Sequence, residues 1–230
     1  MTTNSKVSDM GDPKPADHGQ TFYRTNRLNG YDLVTVKAAN YLLWRCPPGR
    51  LVELYNKHVT DRHLDVGPGS GYYLDHCTFP SPKPQITLID LNPDPLTFVQ
   101  QRIARYNPST VRADLLDELP DIPNTPFDSI ALNYVLHCLP HTSGGRGEVF
   151  ARIKPLLSPD GTLFGSTVVT GGAPATPLSQ TFNALYQRMG AFHNQLDSVD
   201  SLHEALDHHF SSHILEIRGS VVLFSARDPR

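Results

Sequence analysis

Near the end of this 230-residue chain, two strand-forming stretches, SHILEIRG (212–219) and SVVLFSAR (220–227), have almost nothing between them but Gly219. So short a link permits one geometry. The two strands must fold back as an antiparallel hairpin, because a parallel crossover needs about a dozen residues. Everything before them follows a different rule. RHLDV (62–66), QITLID (85–90), STVRAD (109–114), FDSIALNYV (127–135) and TLFGSTVV (162–169) read as strands separated by helical stretches. In PDPLTFVQQRIARY, Leu96, Val99 and Ile103 recur at helical spacing, and GRGEVFARIKPLL predicts a helix closed by the turn SPDG. Strands alternating with helices imply right-handed crossovers and a mostly parallel sheet with helices on both faces. The predicted fold is therefore α/β: seven strands, mostly parallel, finished by one C-terminal antiparallel β-hairpin.

The flanking segments differ. Residues 1–19 are polar, contain two prolines and show no period, which reads as a disordered tail ahead of one domain over residues 20–230. Between Tyr31 and His58 the pattern is helical, broken at Pro47 and Pro48, and residues 20–60 are expected to form an N-terminal helical lid. Helices through LSQTFNALYQRMGAF and SLHEALDHHF occupy a second substrate-covering segment, residues 171–210, between the fifth strand and the hairpin. A helix starting at about Ser70 is expected after the first strand.

Composition excludes several classes. A formal net charge of −3 lacks the basic face that gripping phosphate backbones requires, so no nucleic acid is expected as partner. No apolar run approaches the roughly 20 residues of a membrane span, and no secretory segment opens the sequence. Cys46, Cys77 and Cys138 are odd in number and form no CxxC pair, the usage of reduced thiols in the cytoplasm.

Chemistry concentrates in HLDVGPGSGYYL, residues 63–74. Gly67, Gly69 and Gly71 alternate directly after the first strand, where a missing Cβ lets backbone approach a ligand. A dinucleotide site uses GxGxxG and receives a pyrophosphate. Here the spacing is GxGxG, and Asp65 stands just before it. A carboxylate there repels a pyrophosphate and favours an ammonium or sulfonium group. Nineteen residues beyond Gly71, Asp90 ends the second strand, where a carboxylate can accept both hydroxyls of a ribose. The ligand implied is a ribose-bearing nucleoside with a cationic tail, and S-adenosyl-L-methionine fits.

LDVGPGSGYYL, LIDLNPDPL, ADLLDELP, FDSIALNYVLHCLP and LSPDGTLFGSTVV, in that order, resemble the motifs of class I S-adenosylmethionine-dependent methyltransferases, which have a Rossmann-like fold. With YDLV and WRCP ahead of the glycine turn, the pattern from Tyr31 to Arg227 is similar to small fungal and bacterial natural-product methyltransferases, some of which O-methylate polyketide hydroxyls or the enol of an α-pyrone. The resemblance implies that Gly67, Gly69 and Gly71 line the methionine part of the cofactor, with Asp65 near its amino group and Tyr31 in the same site. It further implies Asp90 on the ribose, Leu91 on the adenine, Asp114 and Leu115 toward the adenine amine, and Asn133 beside the methionine moiety or sulfonium. Asp114 has neighbouring acids in DLLDEL that could take its place.

Methyl transfer needs collinear nucleophile, methyl and sulfur, and a base if the nucleophile arrives protonated. Among eleven histidines, His137 lies just past the fourth strand and His141 four residues on. His137 is the candidate base or substrate anchor, with packing beneath the next helix as the alternative, and His141 is second. Trp44, Tyr186, Met189 and His193 are candidate substrate contacts; Phe182, Tyr186 and Met189 share one helical face. His208, His209 and His213 lack a completing carboxylate or cysteine, so no metal site is expected. The expected reaction is O-methylation of a small hydroxylated molecule by a monomer or homodimer, with N- or C-methylation or a silent cofactor-binding homologue as alternatives.

Overall fold

A computed structural model describes residues 41–230. The expected tail, the first half of the expected lid and Tyr31 lie outside the described residues. Strands β1 (Arg62–Val66), β2 (Gln85–Asp90), β3 (Ser109–Arg112), β4 (Phe127–Asn133), β5 (Leu157–Val168), β6 (Phe210–Arg218) and β7 (Val221–Pro229) form one sheet in the order β3-β2-β1-β4-β5-β7-β6. Pairing is parallel from β3 through β5, and β7 runs antiparallel between β5 and β6. The expected fold class is thus observed, hairpin included. Its turn places Gly219 at φ +56, and a Cβ there would strike the Trp44 carbonyl.

The helices are α1 (Pro48–His58), α2 (Tyr72–His76), α3 (Pro93–Arg102), α4 (Gly147–Ile153), α5 (Pro177–Arg188) and α6 (Val199–His209). Strand residues sort between two faces with period two. Leu64, Val66, Ile89, Ile130, Leu132 and Leu163 pack with Val149 and Phe150 of α4 and Leu202 and Leu206 of α6. Ile86, Leu88, Ala131 and Phe164 pack with Tyr55 of α1, Leu74 of α2, and Leu96 and Val99 of α3. This alternation puts the polar β1 residues, His63 and Asp65, on the α1 face.

Two elements differ from expectation. α2 starts at Tyr72 and lasts five residues, because Pro80, Pro82 and Pro84 forbid continuation soon after. SPDG is not a closing turn but part of β5: Phe127 pairs with Leu157 and Ser129 with Thr162, so Asp128 on β4 faces the four residues of SPDG on β5. The surplus bulges, and Ser158 Oγ donates to Asp128 Oδ1 at 2.9 Å.

Gly165 sits where β5 is flanked by β4 and β7, and a Cβ there would collide with the Leu132 carbonyl and the Phe224 ring. Gly165→Ala is expected to lower stability by about 2 kcal/mol through overpacking, read as a shifted urea midpoint at unchanged slope.

Candidate active site

Because β1 to β4 run parallel, their carboxyl ends share one edge, and the sequence-derived cofactor residues gather there. The three glycines all take positive φ, yet they do different work. A Cβ on Gly67 would come within 2.6 Å of Val135, and one on Gly71 within 2.7 Å of Val99, so these two let neighbouring side chains close in. A Cβ on Gly69 would meet nothing within 4 Å. Gly69 is the part of the turn left open to a ligand.

Asp65 is 1% exposed, and Tyr55 donates its hydroxyl to Asp65 Oδ2 at 2.7 Å. Burial, then the Asp65 charge, hold the Tyr55 hydroxyl well above its usual range, so it keeps its proton as a donor. His63 stands behind, with Nε2 3.6 Å from the same carboxylate oxygen and Nδ1 2.8 Å from Ser129 Oγ. Asp90, at the end of β2, accepts the Asn92 N–H at 2.9 Å. Burial pushes its carboxyl up to about 6, against the pull of the Asn92 and Leu91 backbone N–H groups. Asp114 Oδ1 accepts the Leu116 N–H at 2.9 Å, and Leu115 is buried in the α4/α6-side core. Asn133 accepts from Ser166 Oγ at 2.9 Å, while its buried amide nitrogen, turned toward the Tyr55 hydroxyl, completes no close hydrogen bond among the described residues. That donor calls for an acceptor such as a ligand carboxylate. An open glycine, a buried carboxylate, a second carboxylate one strand away and an orphan amide suit the amino-acid end and ribose of S-adenosylmethionine.

Beyond β4 the chain turns sharply at Tyr134, φ +57, into a 3₁₀ turn at Leu136–Cys138. His137 is 2% exposed. Its Nδ1 accepts the Val168 N–H at 3.2 Å and lies 3.3 Å from Thr167 Oγ1. Its ring meets Phe192 edge-on at 4.4 Å between centroids and Tyr134 at 5.8 Å. Phe192 stacks on Tyr186 at 4.9 Å and leans on Trp44 at 5.9 Å. These rings, with Phe182 and the ends of β5 and β7, form one aromatic cluster. Met189, the residue that caps α5, is 45% exposed and stands apart from it. His193 donates its backbone N–H to the His137 carbonyl at 2.7 Å.

Arg146 ties this region together. Buried, it donates Nε and a terminal nitrogen to the two Asp197 oxygens, each at 2.9 Å. It also donates to the Leu139 carbonyl at 2.7 Å and the His193 carbonyl at 2.9 Å. His141 Nε2 lies 3.1 Å from Asp197 Oδ1, on the same pair. Nearby, the fully buried Asn194 donates to the Val168 carbonyl and to Asn183 of α5 and accepts from Gln187. Sequence reasoning missed Tyr55, Arg146, Asp197 and Asn194. Tyr55 is hidden in an apolar stripe, Leu51–Tyr55, and Arg146 and Asp197 are 51 residues apart with no motif to join them.

Among the described residues no group of three or more His, Cys, Asp or Glu is arranged to hold a metal; His213 instead meets His203 at 2.7 Å. No helix among them is long and apolar enough to cross a membrane.

This strand order, ended by an antiparallel hairpin, and the open glycine beside two carboxylates define a class: a class I S-adenosylmethionine-dependent methyltransferase. Within that class the chain belongs to the methyltransferase-domain family, whose pattern matches residues 64–163. It is 36% identical to demethylluteothin O-methyltransferase of Streptomyces thioluteus, over 98% of this chain and 97% of that one. It is 32% identical to the physcion biosynthesis cluster O-methyltransferase of Aspergillus chevalieri, over 94% and 97% of the two chains. Its fold matches a solved complex of DhpI with SAH at a TM-score of 0.67 and 15% identity, covering 95% of this chain and 98% of that one.

Proposed function

We propose that this chain O-methylates a hydroxyl or enol of a small, flat, polyketide-derived metabolite by direct displacement. The observation that carries the reading is the aromatic cluster of Trp44, Phe182, Tyr186 and Phe192 beside the cofactor edge. Rings of this kind receive a planar apolar acceptor better than a sugar, a phosphate or a peptide. The two relatives named above, both O-methyltransferases, agree with it.

In this reading the bound cofactor supplies a methyl group on a positive sulfur. Asp65, held by Tyr55, would face its ammonium group, and Gly69 would lie against its methionine portion. Asp90 would accept from the ribose hydroxyls, Leu91 would pack on the adenine, and Asp114 with Leu115 would bound the adenine amine. Asn133 donates its free amide hydrogens to the amino-acid end. The stretch 172–193, which carries α5, would cover the acceptor and keep water out. The three free thiols, Cys46, Cys77 and Cys138, suit a cytoplasmic enzyme.

A screen of phenols and hydroxy-pyrones with S-adenosylmethionine, read by mass spectrometry, tests the assignment. An oxygen-methylated product from a planar acceptor is expected; methyl transfer solely to nitrogen or carbon acceptors would overturn it.

A further inference from the structure

We propose that the acceptor enters the site already ionised, and that His137 holds its anionic oxygen through Nε2–H rather than removing its proton. The inference rests on the O-methylation reading and narrows it to hydroxyls acidic enough to ionise in water near neutrality: vinylogous acids and activated phenols.

The geometry at β5 carries the argument. A backbone N–H can donate and never accept, so the Val168 N–H pointing at His137 Nδ1 fixes that nitrogen as the one with the lone pair. The proton of the neutral ring then belongs on Nε2, which no described residue engages. A general base needs a lone pair facing the substrate. Here the lone pair faces the strand, and protonating it would set N–H against N–H. Thr167, Tyr134, Phe192 and the cationic Arg146 surround the imidazole, and the neighbouring Cys138 thiol is pushed up to about 12 by burial. Burial, with Arg146 second, presses His137 itself down to about 3, so it stays neutral throughout the working range.

Neither neighbouring histidine takes over. His141 has Nε2 on Asp197 and lines a separate cleft with Gly144, Glu148 and Ala205 between α4 and α6, outside the aromatic cluster. The His193 ring interacts with the Gly190 backbone and titrates below its ordinary value, chiefly through burial.

The step balances without a protein base. The acceptor loses its proton to water before binding. Its anionic oxygen then forms the new O–CH₃ bond as the C–S bond breaks, and sulfur keeps the bonding pair. One negative and one positive charge cancel, leaving a neutral ether and a neutral thioether.

The test is the pH dependence of kcat/KM for the full chain with a series of hydroxy-pyrones and phenols. Their solution pKa values should run from about 5 to about 10, and cofactor should be saturating. The midpoint is expected to move with each acceptor's own pKa, with kcat/KM falling about tenfold per pH unit below it. His137→Gln, which keeps an N–H donor, is expected to lower kcat/KM by about tenfold and leave each midpoint in place. A single midpoint shared by all acceptors, with methyl ether formed, would overturn this inference alone. SAH binding with no methyl ether from any acceptor would remove the O-methylation reading, and this inference with it.

Discussion

Arg146→Met is expected to lower the unfolding free energy by about 3–5 kcal/mol, the usual cost of leaving one member of a buried ion pair alone. The side chains of Arg146 and Asp197 are 6% and 5% exposed. Without the guanidinium, Asp197 keeps only the His141 imidazole beside it among the described side chains, and the Leu139 and His193 carbonyls lose their donor. Surface ion pairs rarely contribute more than about 1 kcal/mol, so the size of the loss separates a buried linchpin from a decorative contact. In a thermal scan the melting point should fall by on the order of 10 °C. The double variant Arg146→Met with Asp197→Leu should recover much of it, because the stranded carboxylate goes too. A single-variant loss under about 1 kcal/mol would show that the pair does not hold the two loops together.

Asp90→Ala should weaken S-adenosylhomocysteine binding by about 3 kcal/mol, on the order of a hundredfold in Kd, through two charge-assisted hydrogen bonds. Calorimetry reads it directly, and an unchanged Kd would remove Asp90 from the site. pH offers a second handle. The Asp90 carboxyl is pushed up to about 6, mainly by burial, and on the proposed reading ribose hydroxyls would donate to its ionised form. Affinity should therefore be full above about pH 6 and fall toward about tenfold per unit below it, whereas Asp90→Asn should show no such limb. The free protein should respond with the opposite sign. A raised acid favours the folded state below its unfolded value of 3.8, and that contribution is lost as pH rises through about 6.

Local chemistry made most of the architecture readable. The lone Gly219 between two strand sequences forced the hairpin, and short runs bounded by turn residues marked β1, β2 and β4. The glycine turn and its two carboxylates were readable for the same reason: each lies within a few residues of a strand end. What stayed hidden depends on contacts between distant segments. SPDG carries every sign of a turn, yet pairing with β4 draws it into β5 as a bulge. The three glycines look equivalent in sequence, and Val135 and Val99 separate Gly67 and Gly71 from the open Gly69. His137 can be placed at the end of β4 from the sequence, but the direction of its lone pair depends on the Val168 backbone, 31 residues later.

The stretch carrying α5 leaves and rejoins the sheet at a single point. Thr170 and Gly171 both donate backbone N–H groups to the Asp197 carbonyl, and Gly171 bridges to Ser198. A detour whose entry and exit coincide behaves as an exchangeable cassette: its length and lining can be rewritten with no change of strand register. On the proposed reading, residues 172–193 are where acceptor preference would be retuned, by evolution or by an engineer, provided Arg146 and Asp197 are retained as the clasp.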